Sequence, residues 1–173
     1  MKVLITGGSG TIGRAFIKNY AEFFDIFSYS RDENKQTQLT RNFPNVKQYL
    51  GSVEDRETVF RIFEEVKPDI VVHAAAVKHI NLAEKQPIQT CKVNIVGSLN
   101  IIEASIRTDV PVTVAISTDK ACSYESVYGG SKWLMERCFL EANSNRNKFS
   151  VCRFANVAHS DGSVLPFWLK QKE

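Results

Sequence analysis

Gly7-Gly8-Ser9-Gly10-Thr11-Ile12-Gly13 lies between a short apolar run, Lys2 to Thr6, and an amphipathic stretch that opens at Thr11. Read as strand, turn and helix, the three spaced glycines have separate tasks. Gly7 permits a tight turn, Gly10 lets the backbone approach a pyrophosphate, and Gly13 lets the helix pack against the sheet. The amides that open a helix lack partners within it and carry partial positive charge, which suits an anion. The stretch predicts a dinucleotide diphosphate resting on Gly7 to Gly13, with Ser9, Thr11 and Ile12 among its contacts.

Outward from this turn, apolar strands alternate with amphipathic helices. Strands are expected at Lys2–Thr6, Asp25–Tyr29, Val46–Leu50, Ile70–His73, Val112–Ser117 and Phe149–Phe154. Helices are expected at Thr11–Phe23, Asp32–Asn42, Asp55–Val66, Pro87–Arg107 and Val127–Ala142. On the first helix, Ile12, Ala15, Phe16, Asn19, Tyr20 and Phe23 are read as one face. Such alternation builds right-handed βαβ units and a doubly wound α/β fold of Rossmann type, its parallel sheet covered on both faces. Residues 1–173 read as one nucleotide-binding domain, with 157–173 the beginning of a substrate-binding part and Pro166–Glu173 the start of another helix.

The chain has 173 residues, 43% hydrophobic and 24% charged, with a formal net charge of +3. These are the proportions of an ordinary globular domain. The small positive excess is not gathered into a Lys/Arg block, so no nucleic-acid partner is expected. No apolar run approaches the roughly 20 residues of a membrane span, so no membrane association is expected and the location is read as cytoplasmic. Cys91, Cys122, Cys138 and Cys152 show no C-x-x-C spacing. They read as reduced, mostly buried thiols, and no metal site is expected.

The end of the second strand bears on which dinucleotide is bound. An acidic residue there would hold the ribose 2′-hydroxyl of NAD. Here the chain reads Tyr29-Ser30-Arg31-Asp32. Ser30 and Arg31 can bond and charge-pair a 2′-phosphate, which favours NADP over NAD. Further along, Tyr128-Gly129-Gly130-Ser131-Lys132 places a phenol and an ammonium one helical turn apart. A cation beside a phenol favours the phenolate, so Tyr128 can serve as acid and base, and Lys132 can also hold a ribose. Strand Val112–Ser117 leads into Thr118-Asp119-Lys120 at the strand ends where such sheets build their sites. Thr118 can donate to a substrate oxygen. Asp119 and Lys120 supply the two titratable groups that an elimination of water needs, or they are a surface ion pair.

These residues resemble a known family. Ile5 to Gly13, Tyr29 to Glu33, His73-Ala74-Ala75-Ala76-Val77-Lys78-His79, Ala83-Glu84, Asn94 to Gly97, Ser117 to Ala121, Tyr128 to Lys132, Arg153 to Val157 and Gly162 to Pro166 match the extended short-chain dehydrogenases/reductases. Within them the chain is similar to the inverting UDP-N-acetylglucosamine 4,6-dehydratases of polysaccharide and glycan biosynthesis. The resemblance implies oxidation at C4 of the sugar, with hydride passing to bound NADP while Tyr128 removes the 4-hydroxyl proton. Lys120 then takes the C5 proton, Asp119 helps expel the C6 hydroxyl as water, and the hydride returns to C6 with inversion at C5. It also implies that Thr118 holds the 4-oxygen, that Lys78, His79 and Asn156 line the substrate side, and that Ala74, Ala75 and Ala76 pack along the cofactor. Ser52 and Val53 fall on the adenine side, where the family generally shows Gly-Asp-Val and this chain has Gly51-Ser52-Val53. Family members continue for roughly another hundred or more residues. The resemblance further implies a homo-oligomer formed through Pro87–Arg107 and Val127–Ala142, with Trp133, Leu134, Phe139 and Leu140 as candidates to face a partner.

Overall fold

A computed structural model describes residues 1–157. The expectations for 158–173, including the Gly162–Pro166 match and the helix from Pro166, lie outside the described residues. Six parallel strands form one sheet in the order β3-β2-β1-β4-β5-β6. They are β1 (Lys2–Thr6), β2 (Asp25–Ser30), β3 (Lys47–Leu50), β4 (Ile70–His73), β5 (Val112–Thr118) and β6 (Lys148–Phe154). The strand order reverses between β1 and β4, and the crevice that such a reversal makes at the carboxyl ends is the usual ligand position of open α/β sheets.

The helices are α1 (Thr11–Tyr20), α2 (Glu33–Asn42), α3 (Arg56–Val66), α4 (Ile80–Lys85), α5 (Pro87–Cys91), α6 (Gly97–Arg107) and α7 (Val127–Glu141). A π turn, Lys92–Val96, joins α5 to α6, and a 3₁₀ turn, Asp119–Ala121, follows β5. The expected single helix Pro87–Arg107 is thus one helical run with a π turn inside it. Helix α4 and the 3₁₀ turn carry too short an apolar pattern to be read from sequence. Asp32, Asp55 and Ser126 begin α2, α3 and α7, each accepting the backbone N–H of the third residue of its helix.

Side chains alternate across the sheet and feed two cores. Val3 and Ile5 pack with Ile17, Ile26, Leu39, Val46 and Val72 under α1 and α2. Leu4 packs on the opposite face with Phe63, Val71, Ile101, Met135 and Phe139 under α3, α6 and α7. Each such side chain contributes about 1.5–3 kcal/mol by leaving water.

Helix α1 corrects its expected face. Gly13 and Ile17 are buried, Phe16 packs against the core in part, and Ala15, Asn19 and Tyr20 are exposed. The helix ends at Tyr20, and Phe23 lies beyond it, exposed. The cause is local. A Cβ on Gly13 would sit 2.4 Å from Gly8 Cα, so this residue must face the turn, and it fixes the rotation of the helix. The cysteines also depart from expectation. All four are free, but Cys91, Cys122 and Cys152 are exposed and Cys138 is half-buried. On α7, Phe139 is fully buried, stacked on His73 and edge-on to Phe149, whereas Trp133, Leu134 and Leu140 are exposed. No helix among the described residues is long and apolar enough to cross a membrane.

Candidate active site

The glycine turn is closed by Gly7 N–H donating to Tyr29 O at 2.7 Å and Gly10 N–H donating to Gly7 O at 2.9 Å. Gly7 has φ +72°, and a Cβ there would meet Ala75 N at 2.8 Å and Ala74 C at 2.9 Å. The turn and the exit from β4 are therefore in backbone contact. Ala74 N–H donates to Thr6 O at 3.0 Å, and Ala74, Ala75 and Ala76 are half-buried along this wall. Helix α1 starts at Gly10 with no side-chain cap and no carboxylate in its first turn, which leaves a positive end suited to phosphate. The cradle fits a dinucleotide diphosphate: the helix end above it is uncapped, and side-chain bulk is excluded at Gly7, Gly10 and Gly13.

At the end of β2, Ser30 is buried and its hydroxyl accepts from Ser9 N–H at 3.1 Å. Ser30 thus braces the turn, while its carbonyl accepts from the Gln36 amide. Arg31 is exposed. Asp32 is committed to capping α2 through Lys35 N–H at 3.0 Å, which takes it away from a ribose-binding part. After β3, the Tyr29 hydroxyl donates to Ser52 O at 2.5 Å and the Asn100 amide donates to Val53 O at 2.9 Å. The loop Gly51–Val53 is fixed from beneath by β2 and α6, with Val53 buried and Ser52 half-buried.

The second group lies across the crevice. The Thr118 hydroxyl donates to Asp119 Oδ1 at 2.9 Å. Lys120 Nζ donates to the same oxygen at 3.1 Å and to Asn156 Oδ1 at 3.3 Å. The Lys120 hydrogen bond, then that from Thr118, holds the Asp119 carboxyl below its usual range. Tyr128 sits in the first turn of α7. Burial raises its pKa, and the Thr118 hydroxyl and Lys120 act in the opposite direction without overcoming burial. Lys132 is buried, and its Nζ donates to Ile116 O at 2.5 Å. Burial lowers its pKa to about 8, against the pull of Glu136. The cation that favours a Tyr128 phenolate here is thus Lys120, whereas the sequence suggested Lys132; the Lys132 ammonium is turned to a β5 carbonyl. Lys78 and His79 are exposed on the loop from β4 into α4.

Several residues that join the two groups were not singled out from the sequence. The Thr6 hydroxyl meets His73 Nδ1 at 2.7 Å, and His73 Nε2 meets the Ser98 hydroxyl at 3.0 Å. Ser98 donates to Asn94 O at 2.7 Å. That leaves Nε2 as the imidazole donor and Nδ1 as the acceptor from Thr6. Burial, then Lys132, lowers the His73 pKa to about 3, so the ring is neutral. Asn94, in the π turn, receives Val77 N–H at 2.8 Å and donates to Val77 O and to the Ser131 hydroxyl, each at 3.0 Å. Ser131 donates in turn to Tyr128 O at 2.8 Å. A hydrogen-bonded chain thus runs from the root of the glycine turn to the helix that carries Tyr128. Its sequence signal was a run of small polar residues where a helix face should be apolar. Buried Glu136 is paired with exposed Arg153.

The chain is 38% identical over 177 aligned residues to an inverting UDP-N-acetylglucosamine 4,6-dehydratase of Campylobacter jejuni, a match covering 97% of this chain and 52% of that protein. It is 34% identical to a UDP-glucose 4-epimerase of Rickettsia canadensis, over 98% of this chain and 52% of that one. Among solved structures, Pen from Bacillus thuringiensis superposes with a TM-score of 0.92 at 34% identity, covering 98% of this chain and 56% of that one. The chain spans about half the length of the curated relatives it matches. A family model described as polysaccharide biosynthesis protein matches residues 3–173, and the chain belongs to that family.

Proposed function

We propose that this chain carries the dinucleotide-binding and catalytic part of a C5-inverting UDP-N-acetylglucosamine 4,6-dehydratase that uses NADP. The observation behind it is the cluster Thr118–Asp119–Lys120–Asn156 beside Tyr128. A 4-epimerase needs a proton carrier such as Tyr128 but no separate acid and base for losing water. Gly7 to Gly13 would hold the diphosphate, Arg31 the 2′-phosphate, Ser52 and Val53 the adenine side, and Ala74 to Ala76 with Lys132 the nicotinamide side. The bound nicotinamide supplies reversible hydride acceptance at C4 and return at C6.

The residues then divide the proton chemistry. Tyr128, as phenolate, takes the C4 hydroxyl proton; Lys120 supplies the positive charge that favours that state, and Thr118 holds the oxygen. Once Tyr128 is protonated, one transfer along the 3.1 Å bond from the Lys120 ammonium to the Asp119 carboxylate yields a neutral amine and a neutral acid. A closed, drier site favours that neutral pair over the ion pair. The Lys120 amine removes the C5 proton made acidic by the C4 ketone. Asp119 gives its proton to the departing C6 hydroxyl, which leaves as water. Lys120 ends as an ammonium and Asp119 as a carboxylate; C5 takes a solvent proton on the face opposite Lys120, as inversion requires, and Tyr128 releases to solvent the proton it took from the 4-hydroxyl. Asn156 orients Lys120, and Lys78 and His79 border the sugar side.

Two further proposals accompany this reading. The exposed apolar residues Ile88, Leu99, Trp133, Leu134 and Leu140 on α5, α6 and α7 suit a homo-oligomeric contact. The proposed location is cytoplasmic, where UDP-sugars would be met. Incubation of the protein with NADP and UDP-N-acetylglucosamine, followed by NMR, tests the reaction. A 4-keto-6-deoxy product is expected; a C4 epimer formed without loss of water would assign it to epimerisation. Light scattering giving a monomer mass at micromolar concentration would remove the oligomer.

A further inference from the structure

Helix α7 carries a second ionisable group that the proposed proton chemistry does not use. Glu136 follows Lys132 by four residues, so both occupy one face of the helix, one turn apart. Its side chain is only 6% exposed. Arg153 on β6 closes on it with two hydrogen bonds, Nε to Oε1 at 2.8 Å and Nη2 to Oε2 at 2.6 Å. Arg153 Nη1 also reaches Cys122 Sγ at 3.2 Å, just past the turn that bears Lys120. Burial raises the Glu136 pKa, but Arg153, the Ser117 hydroxyl and Lys132 together bring it below its usual range. Ser117 faces this carboxylate without closing a full hydrogen bond.

Lys132 is only 4% exposed, and the single hydrogen bond described for its ammonium is to Ile116 O. A buried ammonium with one neutral acceptor loses its proton readily unless a negative charge lies nearby. The surrounding charged and titratable groups are few. Glu136 and Tyr128 share its helix, neutral His73 faces it from β4, and Asp119 and Lys120 lie on the turn after β5. Arg153 comes from β6, and Glu84 of α4 is bonded to Val127 N–H at the helix start. On α6, Glu103 and Arg107 are paired instead with Arg56 and Glu64 of α3. Of these groups, Glu136 is the one that raises the Lys132 pKa.

We propose that Glu136, clamped by Arg153, is a positioning residue for Lys132: its fixed carboxylate is the counter-charge that keeps this buried lysine an ammonium one turn from Tyr128. Arg153 holds the carboxylate ionised and fixed. The same arginine ties β6, which leads to Asn156, to the turn that presents Lys120. This deepens the proposed placement of Lys132 on the nicotinamide side and rests on it only for its consequence in catalysis.

The test uses the whole chain with ¹³C-labelled lysine and follows the Lys132 ε-carbon by NMR across pH, the signal assigned by its loss in Lys132→Met. The wild-type midpoint is expected at about 8. Glu136→Gln should lower it by about one pH unit or more, the size of an opposite charge withdrawn at short range. Glu136→Asp, which keeps the charge, should restore most of the difference. Mere loosening of the helix would hydrate Lys132 and move the midpoint the other way, toward about 10.4. Should Glu136→Gln not fold, Glu136→Gln/Arg153→Met replaces the ion pair with a neutral one and should also lower the midpoint. An unchanged or higher midpoint in either folded variant overturns the proposal. If the midpoint falls while no sugar product forms, the counter-charge stands and the proposed reaction fails.

Discussion

Among the groups that destabilise this chain on acidification, His73 acts at the highest pH. Its imidazole is buried between Thr6 and Ser98 with a pKa of about 3, against 6.5 for a free histidine. The folded state therefore keeps it neutral where the unfolded chain protonates it. A group with a depressed cationic pKa contributes its stability above the unfolded value and loses it as pH falls toward the folded one, since the unfolded state binds more protons there. The window runs from about pH 6.5 down to about 3. By linkage the loss amounts to about 2 kcal/mol at about pH 5 and about 4 kcal/mol near pH 3. Domains of this kind have only about 5–15 kcal/mol in all. Urea unfolding at several pH values between about 5 and 8, run in parallel on His73→Gln, isolates the effect. Gln can keep a donor and an acceptor but cannot titrate. The wild type should lose about 2 kcal/mol more than the variant over that range. Equal losses in the two proteins would refute the assignment of His73 as a buried neutral ring.

Three other outcomes are expected. Gly13→Ala puts a Cβ 2.4 Å from Gly8 Cα and 2.5 Å from Gly8 O, both backbone, so the overpacking cost of about 1–3 kcal/mol exceeds the helix-propensity gain of about 1; thermal unfolding should show a lower midpoint, and an unchanged one would contradict the close packing. Arg31→Ala removes a charge-assisted contact worth about 1.5–3 kcal/mol, so NADP should bind roughly tenfold or more weakly by calorimetry while NAD is little altered; equal effects on both would transfer the 2′-phosphate to another residue. Lys120→Ala should abolish exchange of the sugar C5 hydrogen with deuterated solvent, and undiminished deuterium incorporation would take Lys120 out of the base role.

The order of strands and helices was legible because each βαβ unit repeats a strong local signal: β-branched runs, then helices started by Asp32, Asp55 and Ser126. The glycine turn was legible because its spacing can be met in few other ways. What escaped depends on distant partners. The rotation of α1 follows from Gly13 meeting Gly8, not from the apolar stripe. The thiols of Cys91 and Cys152 read as core by residue type, yet they lie on the outside of their elements. Ser30 was read as a ligand contact because its hydroxyl suits phosphate; that it also accepts from Ser9 N–H and braces the turn needed the fold to bring the two together. Lys132 and Lys120 could not be told apart as the cation near Tyr128. Helical spacing puts Lys132 on the right face but says nothing of how deep it is buried or of the Ile116 carbonyl that receives it.

The backbone contact between Gly7 and Ala74–Ala75 has a kinetic and thermal consequence. That side of the crevice is shaped during folding and has no slack to take up when a ligand arrives. Little chain entropy is left to lose there, and association at that wall should proceed in a single fast phase. Any slower rearrangement accompanying catalysis would have to arise on the far bank, where Lys120 and Asn156 meet through exposed side chains.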